Sequence, residues 1–337
     1  MPTVSVIIPV YKVEKYLHRA LDSLCANTFS DWEAICVNDG SPDGCSSILE
    51  KYSLADSRFK VINKENGGLS DARNVGVKAA TGDFVLFFDS DDFIHPQTLE
   101  IAVKIQQKTG TDIVSWEINP SYRDEVKAMQ RRGDEALDYF PDDYYRRYDI
   151  DSIKYFVTDD IVSHSTEKKR FSGIRWPIRH FYAVRHLIRR NIASKVPFIN
   201  GVTFEDFPWW CDIMLKNPTC TITKLPLYYY YPNPASIDNA SAQVKKSTNW
   251  LSNLIYCFRN FLAIADSCQM KSWSQQCKWP VIINQVGRNL PLFEKGTPEF
   301  ERCCMLLCEL DSIGALDDAR TMRQLKYRFR IRKFLKQ

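Results

Sequence analysis

The sequence predicts an α/β fold in which helices flank a mostly parallel sheet. Over the first 116 residues, short apolar runs alternate with amphipathic stretches, and the links between them are short. This alternation is typical of parallel strands that helices cover on both faces. Polar clusters follow several of the apolar runs, and in such sheets ligands bind at the carboxyl ends of the strands.

The spacing of apolar residues predicts each element in turn. Short runs rich in β-branched and aromatic residues indicate buried strands, whereas apolar residues three and four apart indicate helices. Strands are predicted over 4–9, 32–38, 59–62, 84–88 and 112–116, and helices over 16–24, 48–52, 69–80 and 98–107.

The second part of the chain is less regular. Residues 118–170 are polar, aromatic and charged, and no element is predicted there. Helical periodicity returns over 181–190 and 250–265. The tyrosine-rich run 227–231 is predicted to be a further strand.

Composition and charge exclude several classes of protein. The 337 residues are 45% hydrophobic and 26% charged, and their net charge of +4 is too small to indicate a nucleic-acid partner. The 11 cysteines form no paired C-x-x-C motifs, so reduced thiols are expected. The sequence shows no basic leader and no apolar run of about 18–20 residues. We therefore expect a cytoplasmic protein, or a peripheral one on the inner face of the plasma membrane.

An acidic cluster, Asp89-Ser90-Asp91-Asp92, follows the most apolar strand. Crowded carboxylates repel one another unless a cation neutralises them, and Mg²⁺ or Mn²⁺ takes oxygen ligands that it shares with phosphates. The alternative is that these aspartates cap a helix that begins near Pro96. Three carboxylates directly after a buried strand favour the metal.

Two glycine-containing clusters follow other strands. Asp39-Gly40-Ser41 offers a carboxylate to a nucleotide base or ribose, although Asp-Gly is also common in ordinary turns. Asn66-Gly67-Gly68 is either a set of backbone amides for a phosphate or a plain loop before a helix, in which Arg73 could reach a diphosphate. The G-x-G-x-x-G and P-loop patterns of other nucleotide-binding folds are absent from the sequence.

Four motifs stand in a characteristic order and spacing: Val4–Tyr11, Val37–Asp43, Glu65–Asn74 and Phe88–Asp92. Together they resemble family 2 glycosyltransferases, which are inverting enzymes of the GT-A fold. The resemblance implies a nucleotide-diphospho-sugar donor, usually a UDP-sugar, and Mn²⁺ or Mg²⁺ as cofactor. It also implies three regions: a donor-binding half over 1–117, an acceptor-binding and catalytic half over 118–240, and a helical region over 241–337.

The resemblance assigns roles to the residues of these motifs. The backbone of Pro9 to Tyr11 and the Asp39 carboxylate would bind the base, and Arg73 would lie near the phosphates. Asp89 would contact the ribose or the metal, and Asp91 would ligate the metal directly. The expected donor-binding set is Pro9, Val10, Tyr11, Asp39, Gly40, Asn66, Gly68, Arg73, Asp89 and Ser90.

The second half of the chain is similar to the family in two segments. Residues 176–191 resemble its tryptophan-containing helix, and 204–208 match its Glu-Asp-x-Pro stretch. In that stretch Asp206 is the expected general base, because inversion needs a carboxylate that takes the acceptor hydroxyl proton. Glu205 is the neighbouring candidate. The alternative is that both acidic residues only begin a helix ahead of Pro208.

Two departures from the family pattern limit the prediction. The arginine that many relatives carry before an Asn-Pro-x-Ser-Ile-like segment is missing from 231–237, so a phosphate contact there is in doubt. A third metal ligand cannot be named either. His95 and His164 are candidates on composition, and solvent-facing loop histidines are the expected alternative.

The segment 320–337 carries eight basic residues and no acidic one, with apolar side chains between them. Such a segment can lie on an anionic membrane surface, or be a solvated tail. The sequence thus favours a non-processive transferase that adds one sugar to a glycan or lipid-linked glycan in surface polysaccharide or lipooligosaccharide synthesis. The alternatives are a catalytically inactive nucleotide-sugar- or glycan-binding homologue and a sugar-phosphate nucleotidyltransferase.

Overall fold

The structure is a computed structural model. It describes residues 1–134, 136–157, 182–201, 205–216, 218–234, 295–312, 326, 329–333 and 335. The chain divides into two compact units. The first comprises 1–165, 180–201 and 209–233, and the second comprises 166–179, 202–208 and 234–337.

The first unit contains all nine described strands. Its elements are β1 (Val4–Val10), α1 (Glu14–Cys25), β2 (Trp32–Asn38), α2 (Cys45–Ala55), β3 (Phe59–Asn63), α3 (Leu69–Ala79), β4 (Phe84–Phe87), β5 (Phe93–Ile94), α4 (Thr98–Thr109), β6 (Ile113–Ile118), α5 (Pro120–Arg132), β7 (Tyr155–Val157), β8 (His186–Arg189), α6 (Arg190–Ala193) and β9 (Cys220–Tyr229). Helix α7 (Asp206–Leu215) begins in residues of the second unit and ends in the first.

The strands form one mixed sheet in the order β3-β2-β1-β4-β8-β6-β9-β5, with β7 paired to β9. Strands β1 to β4 are parallel to one another, whereas β8 is antiparallel to both β4 and β6. Strand β9 is parallel to β6 and antiparallel to β5 and β7. The predicted α/β fold with a mostly parallel, helix-flanked sheet is confirmed, and so are its first four strands.

Strand β1 is buried on both faces of the sheet, which explains why its sequence is nearly continuously apolar. Side chains alternate between the faces of a strand, and here Ile8 packs with Leu17 of α1 while Ile7 packs with Ala72 of α3. Helix α3 lies so close to β1 that a Cβ atom at Gly76 would be 2.3 Å from Ile7 Cγ2. The glycine is therefore a packing requirement of this layer.

The helix predicted over 181–190 is wrong. Ala183–Arg185 is a single 3₁₀ turn, and the next four residues are strand β8. Leu187 packs on one face of the sheet and Ile188 on the other. A strand this short, with apolar residues on both faces, has too little periodicity to distinguish it from a helix.

Sequence reasoning also missed helix α5 in the segment 118–170. Its start is marked by Asn119, whose side chain accepts hydrogen bonds from Ser121 N and Tyr122 N, and by Pro120 in the first turn. Its end is marked by Gly133, which has a φ of 82°. These signals are present in the sequence. The helix buries only Tyr122 and Val126, however, so its apolar stripe is too weak to predict a helix. The helical pattern over 250–265 lies outside the described residues.

The structure describes a smaller share of the second unit than of the first. Helix α8 (Pro298–Ser312) buries Phe300, Cys303 and Leu307. Of the basic segment 320–337, the structure describes Lys326, 329–333 and Leu335. Among the described residues, no helix is long and apolar enough to cross a membrane.

Candidate functional site

The carboxyl ends of β1, β2 and β4 meet at one edge of the sheet. Ser90, which follows β4, donates its hydroxyl to Pro9 O at 2.7 Å, and Asp39 N donates to Val10 O at 3.0 Å. Both bonds join segments that are adjacent in the sheet but distant in sequence. The structure thus brings four of the expected donor-site residues together, as the rule for parallel sheets predicts.

Tyr11 is the exposed aromatic residue of this edge. Its side chain is 41% exposed and follows β1 directly. The next residue, Lys12, has a φ of 55°, donates its N–H to Ser41 Oγ at 2.7 Å, and places its ammonium 5.1 Å from the Tyr11 ring centroid. The β1 terminus is therefore fixed by the loop after β2, while the Tyr11 ring stays open to a planar ligand.

Asp39 organises the loop that precedes α3. Its carboxylate accepts from Gly67 N at 2.9 Å and from Gly68 N at 2.8 Å, and it pairs with Lys64 Nζ at 2.5 Å. Gly40 has a φ of 66°, and a Cβ there would lie 3.0 Å from Asn66 N. Binding of a base to the Asp39 carboxylate would have to displace one of these bonds, so the contact predicted from the resemblance stays a prediction.

Asp89 is held by the helix that follows this loop. Arg73 is 1% exposed, and its guanidinium donates to Asp89 Oδ1 at 3.0 Å. The Asp89 side chain keeps 30% of its surface exposed. Arg73 therefore restrains Asp89 and places a fixed positive charge beside the acidic cluster.

Asp91 lies in a crowded and poorly solvated environment. Burial, followed by the charge of Asp89, raises the pKa of Asp91 to about 6. The carboxylate accepts one hydrogen bond from the amide of Asn233 at 3.0 Å, and the Asn233 amide oxygen accepts from the Tyr16 hydroxyl at 3.1 Å. The hydrogen bond from Asn233 lowers the pKa of Asp91, but by less than burial and the charge of Asp89 together raise it.

Asp92, by contrast, belongs to the core. It is 1% exposed and accepts from the Tyr228 hydroxyl at 2.6 Å and from Tyr231 N at 2.7 Å. Burial and the neighbouring aspartates raise its pKa well above the usual value. The acidic cluster therefore offers two carboxylates to a ligand and not three, because Asp92 ties β9 to the end of β4.

The chemistry of Asp89 and Asp91 fits a hard divalent cation. Burial and then the charge of Asp89 raise the pKa of Asp91, and a cation held by the two carboxylates would offset both causes. Mg²⁺-type sites use one or two carboxylates and complete their shell with phosphates and water. Among the described residues, no group of three His, Cys, Asp or Glu side chains could hold a metal. Of these residues, Asp89 and Asp91 are the carboxylates that would hold the ion, and phosphate oxygens and water could complete its shell.

The alternative that these aspartates cap the next helix is wrong. Helix α4 is preceded by Gln97, without a side-chain cap from that residue. The N–H of Leu99, in its first turn, donates instead to Asn27 Oδ1 at 3.1 Å. Asp91 and Asp92 have the partners described above, so neither is needed at the helix start.

The expectation of a solvent-facing His95 is also wrong. His95 is 1% exposed, accepts from Gln97 N at its Nδ1 atom, and lies 2.9 Å from Arg146 O through Nε2. Burial lowers its pKa to about 4. Both ring nitrogens serve the packing around α4, which removes His95 from the set of metal-ligand candidates. His164 lies outside the described residues.

Glu205 and Asp206 belong to the second unit, and the donor-side residues belong to the first. Glu205 is 8% exposed, and Asp206 is the first residue of α7. Asp206 therefore lies in the first turn of a helix, as the alternative interpretation of the Glu-Asp-x-Pro stretch predicts. Its role as general base stays a prediction.

Sequence reasoning missed the residues that contact the acidic cluster from other elements. Those with a direct hydrogen bond to it are Arg19, Tyr228, Tyr231 and Asn233, and Tyr16 is joined to it through Asn233. Arg19 donates to Asp91 O at 2.9 Å, and its guanidinium carbon lies 4.4 Å from the Tyr231 ring centroid. The available signal for Arg19 was a charged residue in the apolar stripe of α1.

Comparison with known proteins identifies the family. The sequence model described as glycosyl transferase family 2 matches residues 5–196, which is more than half of the chain. The chain belongs to glycosyl transferase family 2. The predicted membership is thus confirmed, and the matched range includes every donor-side residue discussed above.

Curated glycosyltransferases match over part of their length. The chain is 43% identical over 240 residues to the uncharacterized glycosyltransferase EpsJ of Bacillus subtilis, which covers 70% of this chain and 63% of EpsJ. It is 32% identical over 204 residues to the glycosyltransferase GlyG of Streptococcus pneumoniae, which covers 60% of this chain and 62% of GlyG. The chain therefore spans less than two thirds of the length of these two relatives.

Solved structures confirm the GT-A fold of this family 2 member. The chain is similar to S. aureus TarS in complex with UDP-GlcNAc, with a TM-score of 0.55 and 21% identity over 97% of this chain and 92% of that one. It is also similar to the mannosyltransferase PcManGT of Pyrobaculum calidifontis in complex with GDP-Man and Mn²⁺, with a TM-score of 0.53 and 15% identity over 99% and 85%. At these identities the likeness concerns the fold.

Proposed function

We propose that this family 2 member is an inverting, metal-dependent and non-processive glycosyltransferase. It transfers one sugar from a UDP-sugar to a glycan or lipid-linked glycan acceptor in surface polysaccharide or lipooligosaccharide synthesis. The observation that carries the proposal is the pair of carboxylates, Asp89 and Asp91, that follows β4 at the same edge of the sheet as the exposed Tyr11. TarS with UDP-GlcNAc and PcManGT with GDP-Man and Mn²⁺ share this fold.

The chain's own residues divide the work of donor binding. Tyr11 offers an open aromatic face to the base, and the loop organised by Asp39 presents the start of α3. Arg73 lies beside Asp89, so its charge is available to a diphosphate held against the acidic cluster. Mn²⁺ or Mg²⁺ bound by Asp91 and Asp89 would offset the negative charge of the departing diphosphate.

Asp206 is our candidate for the general base, with Glu205 as the neighbouring alternative. A base takes the proton of the acceptor hydroxyl while that oxygen attacks the anomeric carbon from the side opposite the diphosphate. Because the two residues belong to a different unit from the donor-side cluster, this role rests on the family resemblance of the Glu-Asp-x-Pro stretch.

The test is a screen of UDP-sugars for metal-dependent hydrolysis and transfer, measured as UDP release. We expect release with Mn²⁺ and none with EDTA, and we expect Asp206→Asn to bind the donor normally but to lose transfer by about 100-fold or more. UDP binding without turnover by any donor would support the inactive binding homologue instead. Near-normal kcat in Asp206→Asn would exclude that residue as the base.

The basic segment 320–337 is the part of the chain that we propose contacts the membrane. Phe329 is 71% exposed, and the neighbouring Arg330, Arg332 and Lys333 are also exposed. Exposed basic and aromatic side chains bind anionic lipid surfaces. Deletion of 320–337 should therefore reduce sedimentation with vesicles that contain anionic lipid, and unchanged sedimentation would remove the membrane from the proposal.

A further inference from the structure

Asn233 is a buried amide that joins two distant elements to the acidic cluster. It is 4% exposed and follows β9 by four residues. Its Nδ2 atom lies 3.0 Å from Asp91 Oδ2, and its Oδ1 atom lies 3.1 Å from the hydroxyl of Tyr16 in α1. Three side chains from separate parts of the first unit thus form one chain of hydrogen bonds.

The direction of this hydrogen-bond chain is determined by its chemistry. An ionised carboxylate only accepts, so the amide nitrogen of Asn233 must face Asp91. The amide oxygen then faces Tyr16, and the tyrosine hydroxyl must donate to it. Asp91 therefore sets which end of the Asn233 amide faces it, because a reversed amide would place two acceptors against each other. The Tyr16 hydroxyl supports that orientation by donating to the amide oxygen.

The backbones on both sides of this contact are held independently. Asp92 accepts from Tyr231 N at 2.7 Å, two residues before Asn233, and Asn233 N donates to Tyr231 O at 2.7 Å. On the other side, Arg19 donates to Asp91 O at 2.9 Å and stacks over the Tyr231 ring. With both backbones fixed, the Asn233 amide acts mainly on the rotation of the Asp91 carboxylate.

We propose that Asn233 is a positioning residue that aims the Asp91 carboxylate at the divalent cation, with the Tyr16 hydroxyl supporting the Asn233 amide. The terminal torsion of an aspartate side chain is broad, so a ligand carboxylate needs an outside contact to hold one rotation. Asn233 supplies that contact by occupying one of the two carboxylate oxygens. This inference rests on the proposed metal-dependent function. It gives the segment after β9 a role in metal affinity, although that segment lacks the arginine that many relatives carry there.

The test measures Mn²⁺ affinity apart from turnover. Mn²⁺ is titrated into protein and UDP, free Mn²⁺ is followed by electron paramagnetic resonance, and UDP binding is measured by calorimetry with Mn²⁺ and with EDTA. Asn233→Ala should weaken apparent Mn²⁺ affinity roughly tenfold, because it removes an outer contact of a metal ligand. Tyr16→Phe should weaken it roughly threefold, because it removes one neutral hydrogen bond to that contact. UDP binding in EDTA should stay unchanged in both variants.

Asn119→Ala is the matched control. Asn119 is also 4% exposed and donates its amide to a carboxylate, Asp143 Oδ2, at 2.6 Å while it caps α5. This control should lower the unfolding midpoint and leave Mn²⁺ affinity unchanged. Should Asn233→Ala fail to fold, Tyr16→Phe carries the test alone, because it removes one hydroxyl and no buried volume.

Three outcomes overturn the proposal. Mn²⁺ affinity within twofold of wild type in Asn233→Ala or Tyr16→Phe excludes a positioning role. An equal loss of UDP binding with Mn²⁺ and with EDTA shows a merely structural role. If the wild-type protein binds UDP equally well with Mn²⁺ and with EDTA, the proposed function is not metal-dependent. This result concerns the wild type, so it is distinguishable from a failure of the positioning role of Asn233 alone.

Discussion

Two poorly solvated carboxylates, Glu33 near the start of β2 and Asp91 after the end of β4, have opposite environments. Glu33, near the start of β2, accepts from Ser5 Oγ at 2.6 Å, from Thr81 N at 2.7 Å and from Lys60 Nζ at 2.5 Å. Burial alone would raise its pKa, but these hydrogen bonds outweigh burial and lower the pKa to about 2. Asp91, after β4, has one amide donor, and its pKa is raised to about 6 by burial and by Asp89.

The number of donors separates a structural carboxylate from one that is prepared for a cation. Buried charges are stable only when partners replace the lost water. Glu33 has its partners within the protein and joins β1, β2 and the turn before β4. Asp91 has one side-chain donor, Asn233, and its pKa stays raised. That difference from Glu33 is the physical basis of the proposed metal site.

The largest expected effect is that of Asp91→Asn. This change keeps the shape of the side chain and removes its charge, so Mn²⁺-dependent affinity for UDP should fall by more than about 100-fold, beyond the range of outer contacts. The free energy of unfolding should be unchanged or higher, because a crowded buried charge is lost. Calorimetry with UDP and urea unfolding measure the two quantities. If the UDP affinity of Asp91→Asn depends on Mn²⁺ as strongly as that of the wild type, the contrast drawn between Asp91 and Glu33 is wrong.

Glu33→Gln should show the reverse pattern. A glutamine amide group would have to face a donor that now meets a carboxylate oxygen, so the free energy of unfolding should fall by about 2 kcal/mol. Mn²⁺-dependent UDP affinity should not change, since Glu33 lies near the start of β2 and not at the carboxyl ends of the strands. Weaker Mn²⁺ affinity at unchanged stability would mean that the two carboxylates are not functionally distinct.

The smallest effect is the dependence of the Glu33 contribution on pH. The folded pKa of about 2 lies below the usual 4.5, so the contribution is fully present above about pH 5 and is lost as the pH falls toward 2. Roughly half of it, about 1 kcal/mol, should be gone near pH 3. The difference in unfolding free energy between wild type and Glu33→Gln should shrink accordingly. A constant difference from pH 7 to pH 3 would contradict the lowered pKa.

Elements with a clear period could be predicted from the sequence. Strands β1, β2 and β4 are apolar runs buried on both faces, and α1 to α4 have apolar residues at helical spacing, so local patterns determine them. Strand β8 could not be predicted, because its four residues enter the sheet between β4 and β6. Their pairing depends on partners about 70 or more residues earlier in the chain.

The site divides in the same way. Asp39, Asp89 and Asp91 could be found because they follow strands whose carboxyl ends must meet. Asn233 could not be assigned a role, since its partners Tyr16 and Asp91 are 217 and 142 positions away. The burial of His95 was missed because its partner, Arg146 O, comes from an irregular segment that carries no periodic signal.

The most direct test of the metal site is anomalous diffraction from crystals grown with UDP and Mn²⁺. The account predicts one strong anomalous peak about 2.1 Å from an Asp91 carboxylate oxygen, bridged to the diphosphate. Bound UDP without such a peak, or a peak at a site that excludes Asp91, would contradict it.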